Sequence, residues 1–255
     1  MTGTASGAAL VTGAGKRIGR ALALALADAG LDVAVHYNSS RKDADDVADL
    51  IKAKGRRAAA IGADLSKESD MAQLVAKARD TLGPLRVLVN SASVFEHDDV
   101  ASMTRESWDK HMEVNLRAPA KLSQDFAAQA AKGADNLIVN IVDQRVLKLT
   151  PQFLTYTASK SALWALTQTM AQGLGPEGIR VNAIGPGPTL RNPRQSDEDW
   201  SRQNEATILG HGAAPEDICG ALLYLLSARS VTGQMIAVDG GQHLGWKTPD
   251  VMVQE

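Results

Sequence analysis

The N-terminal stretch limits the available folds more sharply than any other part of the chain. A short apolar run, Ala8–Val11, leads into Thr12-Gly13-Ala14-Gly15-Lys16-Arg17-Ile18-Gly19-Arg20. A helical apolar run over Ala21–Ala29 follows, stopped by Gly30, and then a second apolar run, Leu31–Tyr37. Strand, glycine-rich turn, helix, strand is a β-α-β unit, which makes the two strands parallel and the crossover right-handed. Glycines let a backbone approach an anion, and a helix N-terminus adds free N–H groups and a positive dipole end. The turn therefore reads as a phosphate cradle. It is not a Walker A loop, because Lys16 is followed by Arg17, and its glycines are spaced G-x-G-x-x-x-G rather than G-x-G-x-x-G.

The same alternation continues. Helical patterns over Asp43–Lys54, Lys67–Leu82, Glu106–Lys132, a stretch after Lys160 to Gly173, and Pro215–Leu226 separate apolar runs at Ala58–Ile61, Leu85–Val89, Leu137–Val142, Arg180–Ile184 and Gln234–Val238. No linker or repeat interrupts the 255 residues. The expectation is an α/β chain, residues 1–255 in a single domain, with a doubly wound parallel sheet of about seven strands and helices on both faces. Gly185-Pro186-Gly187-Pro188 reads as a tight exposed loop, since Pro does not suit a central strand. Polar residues 189–211 have the composition of a substrate lid.

Composition narrows the function. The formal charge is −2 with no basic block, which argues against nucleic acid or an anionic membrane as partner. Asp28, Gly30 and Asp32 interrupt the most apolar segment far short of a membrane span. Cys219, the one cysteine, excludes an internal disulfide, and in its apolar helical setting it reads as an inert buried thiol. No metal cluster is expected. A cytoplasmic protein acting on a small molecule fits these bounds.

The chemistry points to Asp143–Lys160. Tyr156 and Lys160 fall one helical turn apart on one face. An ammonium beside a phenol favours phenolate, so a lowered tyrosine pKa is expected, and such a tyrosine transfers protons at neutral pH. Asp143 ends the Leu137–Val142 strand, where side chains are delivered into a crevice. Tyr-x-x-x-Lys also recurs by chance, so the spacing alone decides little. The end of the second strand is informative too. It carries His36-Tyr37-Asn38-Ser39-Ser40-Arg41 where an NAD site needs an acid for the ribose 2′-hydroxyl. Hydroxyls, an imidazole and the cations Arg41, Lys16 and Arg17 suit a 2′-phosphate, hence NADPH over NADH; alternatively, Ser39 or Ser40 only caps the following helix. Asn90-Ser91-Ala92-Ser93-Val94-Phe95 ends the fourth strand with small residues against which a flat cofactor fits, and Phe95 is placed to stack on a ring.

Taken in order, the glycine turn, Asn90-Ser91-Ala92-Ser93, Asn115, Tyr156-x-x-x-Lys160, Pro186-Gly187 and Val238-Asp239-Gly240-Gly241 resemble the short-chain dehydrogenases/reductases over nearly the whole chain. The resemblance implies a Rossmann fold, hydride transfer from a nicotinamide and a homotetramer, to which the apolar faces of helices near 117–131 and 159–173 also point. It implies Tyr156 as acid/base, Lys160 lowering its pKa and holding the nicotinamide ribose, and Asn115 holding a relay water. The cofactor would lie along Gly13, Lys16, Arg17, Ile18, Gly19, His36, Tyr37, Asn38, Ser39, Ser40, Asp64, Leu65, Asn90, Ser91, Ala92, Pro186 and Gly187. Two departures narrow the substrate: Arg17 stands where the family usually has glycine, and Asp143 where it has its catalytic serine. Both are similar to the pteridine reductases, which implies Arg17 on cofactor phosphate and substrate, Ser93 and Phe95 on the pterin, and Asp143 helping to protonate a ring nitrogen. Ser39 departs from an arginine that subgroup members use for the 2′-phosphate. Two other readings stand beside it: a carbonyl reductase such as a 3-oxoacyl reductase, and a dinucleotide sensor without turnover.

Overall fold

The computed structural model describes residues 7–192, 195–248 and 251–252. Residues 193–194 of the expected lid lie outside the described residues. Strand β1 (Ala8–Val11) is buried along its whole length, as an apolar strand covered on both faces must be. Helix α1 (Arg17–Asp28) returns the chain to β2 (Asp32–Tyr37); α2 (Arg41–Ala53), β3 (Ala58–Gly62), α3 (Glu68–Leu82) and β4 (Leu85–Asn90) follow. Then come α4 (Arg105–Met112), α5 (Ala118–Gln129), β5 (Asn136–Ile141), α6 (Leu154–Leu174), β6 (Ile179–Pro186), α7 (Asp197–Glu205), α8 (Pro215–Ser227) and β7 (Met235–Val238). The strands form one parallel sheet in the order β3-β2-β1-β4-β5-β6-β7, with Leu10 between Ala34 and Leu88. The doubly wound expectation holds.

Alternation along β1 divides the core. Ala9 and Val11 pack with Leu22 and Leu26 of α1, Val47 and Ile51 of α2, and Leu222 of α8. Ala8 and Leu10 face Met71 and Leu74 of α3 and Leu122 and Phe126 of α5. Strand order reverses at β1 and β4, so their carboxyl ends open a crevice where ligands bind in folds of this kind.

Three expectations need correction. Helix α1 starts at Arg17, earlier than Ala21, so Arg17, Ile18 and Gly19 form its first turn. The helix expected over Glu106–Lys132 is two helices joined by a π turn, Glu113–Arg117, and it ends at Gln129. Gly185 and Pro186 are not an exposed loop but the buried end of β6, paired with Ala237 and Val238. Proline is tolerated there because the N–H groups of Ala183 and Gly187 point to the β7 side, leaving position 186 facing β5, whose pairing stops at Ile141. No helix among the described residues is long and apolar enough to cross a membrane.

Candidate active site

A cleft of about 960 Å³ lies over the carboxyl ends of the strands. Its first half is the glycine turn. Gly13 has φ +63°, and a Cβ on Gly19 would sit 2.3 Å from the Gly13 carbonyl oxygen, so only glycine lets the turn close on α1. Lys16 occupies the α1 N-cap and makes no side-chain capping bond. At α2 the N-cap is Ser40, whose hydroxyl makes no capping bond, so the purely structural reading of this serine fails. Asn38, Ser39, Ser40 and Lys16 all border the cleft, with Lys16 3.1 Å from Asp43. Arg41 instead turns to Asp45.

His36 departs from expectation. Its Nδ1 accepts the Gly13 N–H at 3.0 Å and its Nε2–H faces the Ala63 carbonyl at 3.0 Å, so both ring nitrogens are engaged in shaping the turn rather than offered to a phosphate. Burial lowers its pKa to about 4, against a smaller opposing effect of the Ala63 bond. The unfolded chain therefore binds this proton first as pH falls. Stability from His36 is complete above pH 6.5 and is lost on acidification towards pH 4, about 3 kcal/mol in all. His36→Gln should flatten the melting temperature over that window; an unchanged slope would contradict this role.

The second half holds the chemistry. Tyr156 lies in the first turn of α6 and its hydroxyl donates to Asp143 Oδ2 at 2.8 Å. Asp143 Oδ1 accepts the Arg145 N–H at 2.8 Å and so caps the short turn Gln144–Val146. One carboxylate thus serves both the loop and the phenol. Lys160, buried, donates to the Ile141 carbonyl at 2.8 Å and lies 5.7 Å from the centre of the Tyr156 ring. Burial lowers its pKa to about 8, opposed by the Asp143 charge, so it is still mainly ammonium at pH 7. The expected lowering of the tyrosine pKa is not found. Burial, then the charge and hydrogen bond of Asp143, push Tyr156 well above 10, outweighing a lowering by Arg145. Burial also raises Asp143, against the bonds from Arg145 and Tyr156. The resting site holds a protonated phenol, which is the state an acid needs.

Aromatic rings line the substrate side. Phe95 stacks on Phe153 with centroids 4.5 Å apart and planes 8° from parallel, and it meets Tyr156 edge to face at 4.7 Å. The Arg145 guanidinium carbon lies 5.0 Å over the Phe153 ring. Arg17 has φ +52° at the start of α1, a backbone glycine adopts freely and arginine only under strain. Its guanidinium crosses the cleft to the carbonyls of Leu190 (2.8 Å) and Arg191 (3.1 Å). The expected lid contains α7, and Gln195, Trp200 and Gln203 border the cleft.

Gly13, Ile18, Gly19, Tyr37, Asp64, Leu65, Ser91, Ala92, Ser93, Pro186 and Gly187 lie along the cleft as expected. Asn90 does not: its amide is buried and donates to Asn140. Asn115 is also buried, in the π turn; its Oδ1 accepts Val94 N–H, and its Nδ2 donates to the Val94 carbonyl and Ser159. Its side chain thus pins the loop after β4 to α6. Gln144, Arg145, Phe153 and Trp200 were not singled out from the sequence; proximity to Asp143 was the only signal for the first two.

A family profile described as Enoyl-(Acyl carrier protein) reductase matches residues 13–243. The chain belongs to the short-chain dehydrogenase/reductase family. Among family members, the 3-oxoacyl-[acyl-carrier-protein] reductase FabG of Staphylococcus epidermidis is 32% identical over 92% of this chain and 98% of its own length. The crystal structure of FolM alternative dihydrofolate reductase 1 from Brucella suis in complex with NADP is 46% identical, with TM-score 0.91, covering 95% of this chain and 97% of that one. The angucycline C-6 ketoreductase LanV with bound NADP is 33% identical, with TM-score 0.87, over 94% and 99% of the two chains. This short-chain dehydrogenase/reductase is accordingly an oxidoreductase.

Proposed function

We propose that the protein is an NADPH-dependent reductase of a C=N bond in a pterin or dihydrofolate-like ring. The observation that carries this reading is the Tyr156 hydroxyl donating to a buried aspartate beside a stacked aromatic pair. An ionised carboxylate opposes the alkoxide that forms when a ketone is reduced, whereas a ring nitrogen that gains a proton is served by it. The Brucella suis protein's description as a dihydrofolate reductase supports the same choice.

The residues present fit the cofactor: a turn that only glycines can close, and two helix N-termini without side-chain caps at the cleft. The α1 turn would hold the pyrophosphate, Lys16, Ser39 and Ser40 the 2′-phosphate, and Lys160 the ribose beside the nicotinamide. Bound there, NADPH would supply the hydride for the carbon of the C=N bond. Tyr156 gives its proton to the nitrogen, Lys160 stabilises the phenolate left behind, and Asp143 orients the hydroxyl and relays the replacement proton. Phe95 and Phe153, stacked on each other, form the apolar side of the cleft beside which the ring would lie.

NADPH oxidation followed with dihydrobiopterin, dihydrofolate, dihydromonapterin and a ketone panel tests the substrate; turnover of ketones alone would overturn it. With NADPH, kcat/KM should exceed that with NADH by about tenfold or more, the worth of one or two bonds to a charged phosphate. Equal values would contradict the phosphate site. The proposal includes a homotetramer, so light scattering should give four times the chain mass; a monomer would refute that part.

A further inference from the structure

A second buried cluster lies directly behind Tyr156. Phe153, the N-cap of α6, is left-handed (φ +57°) and supplies no side-chain cap. The first amides of α6 are satisfied instead by one residue of the loop after β4. The Asp98 carbonyl accepts the N–H groups of Phe153 (2.7 Å) and Leu154 (3.3 Å), and its Oδ1 accepts the N–H of Thr155 (3.1 Å). Its Oδ2 accepts the hydroxyls of Thr155 and, at 3.1 Å, Ser107. His111 closes the cluster from α4. Its Nδ1 faces the Ser107 carbonyl at 2.8 Å and so carries the proton, while Nε2 accepts the Glu96 N–H at 3.3 Å; Thr155 Oγ1 lies 2.8 Å from Nδ1. Asp98, His111 and Thr155 are all buried.

We infer that Asp98 is a positioning residue that sets Tyr156 and the Phe95–Phe153 pair in a common frame through Thr155. The inference rests on Tyr156 being the proton donor. The cluster reaches no cleft atom itself, but it fixes the three groups that do. Asp98 sits in the loop that carries Phe95, and it caps the turn that carries Phe153 and Tyr156. A carboxylate is needed because it accepts from one amide and two hydroxyls at once. An asparagine offers a single acceptor oxygen and turns a donor towards hydroxyls already committed. Misplacement of a donor by about 1 Å costs about 10²-fold in rate.

The test compares Asp98→Asn, Thr155→Val and Thr155→Ser in the full-length enzyme, reading kcat, KM for dihydropterin, NADPH affinity by fluorescence and melting temperature. Asp98→Asn and Thr155→Val should lower kcat by about 10–100-fold and leave NADPH affinity unchanged, and Thr155→Ser, which keeps the hydroxyl, should restore it. A structural tie alone would lower the melting temperature and the folded fraction without moving kcat per folded enzyme, and that result would overturn the inference. Equal damage in Thr155→Ser and Thr155→Val would overturn it too, and this pair decides if Asp98→Asn does not fold. Run alongside, Tyr156→Phe keeps the two proposals apart: full kcat in Asp98→Asn with an inactive Tyr156→Phe sinks this inference alone.

Discussion

Tyr156→Phe should bind NADPH as the native protein does and lose turnover by about 10³-fold, within the range general acids contribute. The change deletes one oxygen. The ring that meets Phe95 edge to face stays, so the shape of the slot is kept. What goes is the proton donor, and with it the hydrogen bond to Asp143. Asp143 has its other oxygen on the Arg145 N–H, so the loop cap survives. Turnover within a few-fold of the native rate would remove the tyrosine from the mechanism.

Asp143→Ser should exchange activities. Serine caps helical turns well, so the Arg145 N–H keeps an acceptor and the stability cost is small. The phenol, by contrast, loses the charge and hydrogen bond that contribute to its raised pKa, and the site loses the group that relays a proton to nitrogen. Pterin reduction should fall by about 10²-fold or more in kcat/KM, about 3 kcal/mol, while ketone reduction rises or appears. A purely capping aspartate predicts a different pattern: both activities unchanged relative to one another, since serine keeps the cap.

Much of this site is legible in the sequence. A four-residue spacing puts Tyr156 and Lys160 on one helical face, and the ordered motifs that resemble the short-chain dehydrogenases/reductases give that pair its role; Asp143 stands out because it ends a strand. Where the sequence misled, the missing information was three-dimensional. The lysine–tyrosine pair shows the sign of a Coulomb interaction but not the burial that outweighs it, and burial sets the direction at Tyr156. Proline at 186 reads as a strand breaker until it is known that β5 has already ended beside it. His36 reads as a phosphate ligand until the pairing of β2 with β3 places Ala63 at its Nε2. The π turn at Asn115 and the left-handed Phe153 have no local signature, because both arise where α4, α6 and the loop after β4 are packed together.

The most direct measurement follows a label. Turnover of a dihydropterin with NADPH deuterated at the transferable position should place one deuterium on the carbon of the former C=N bond, leaving the new N–H exchangeable with solvent. Deuterium found only in carbinols from the ketone panel, with the dihydropterin recovered unlabelled, would contradict the proposed chemistry.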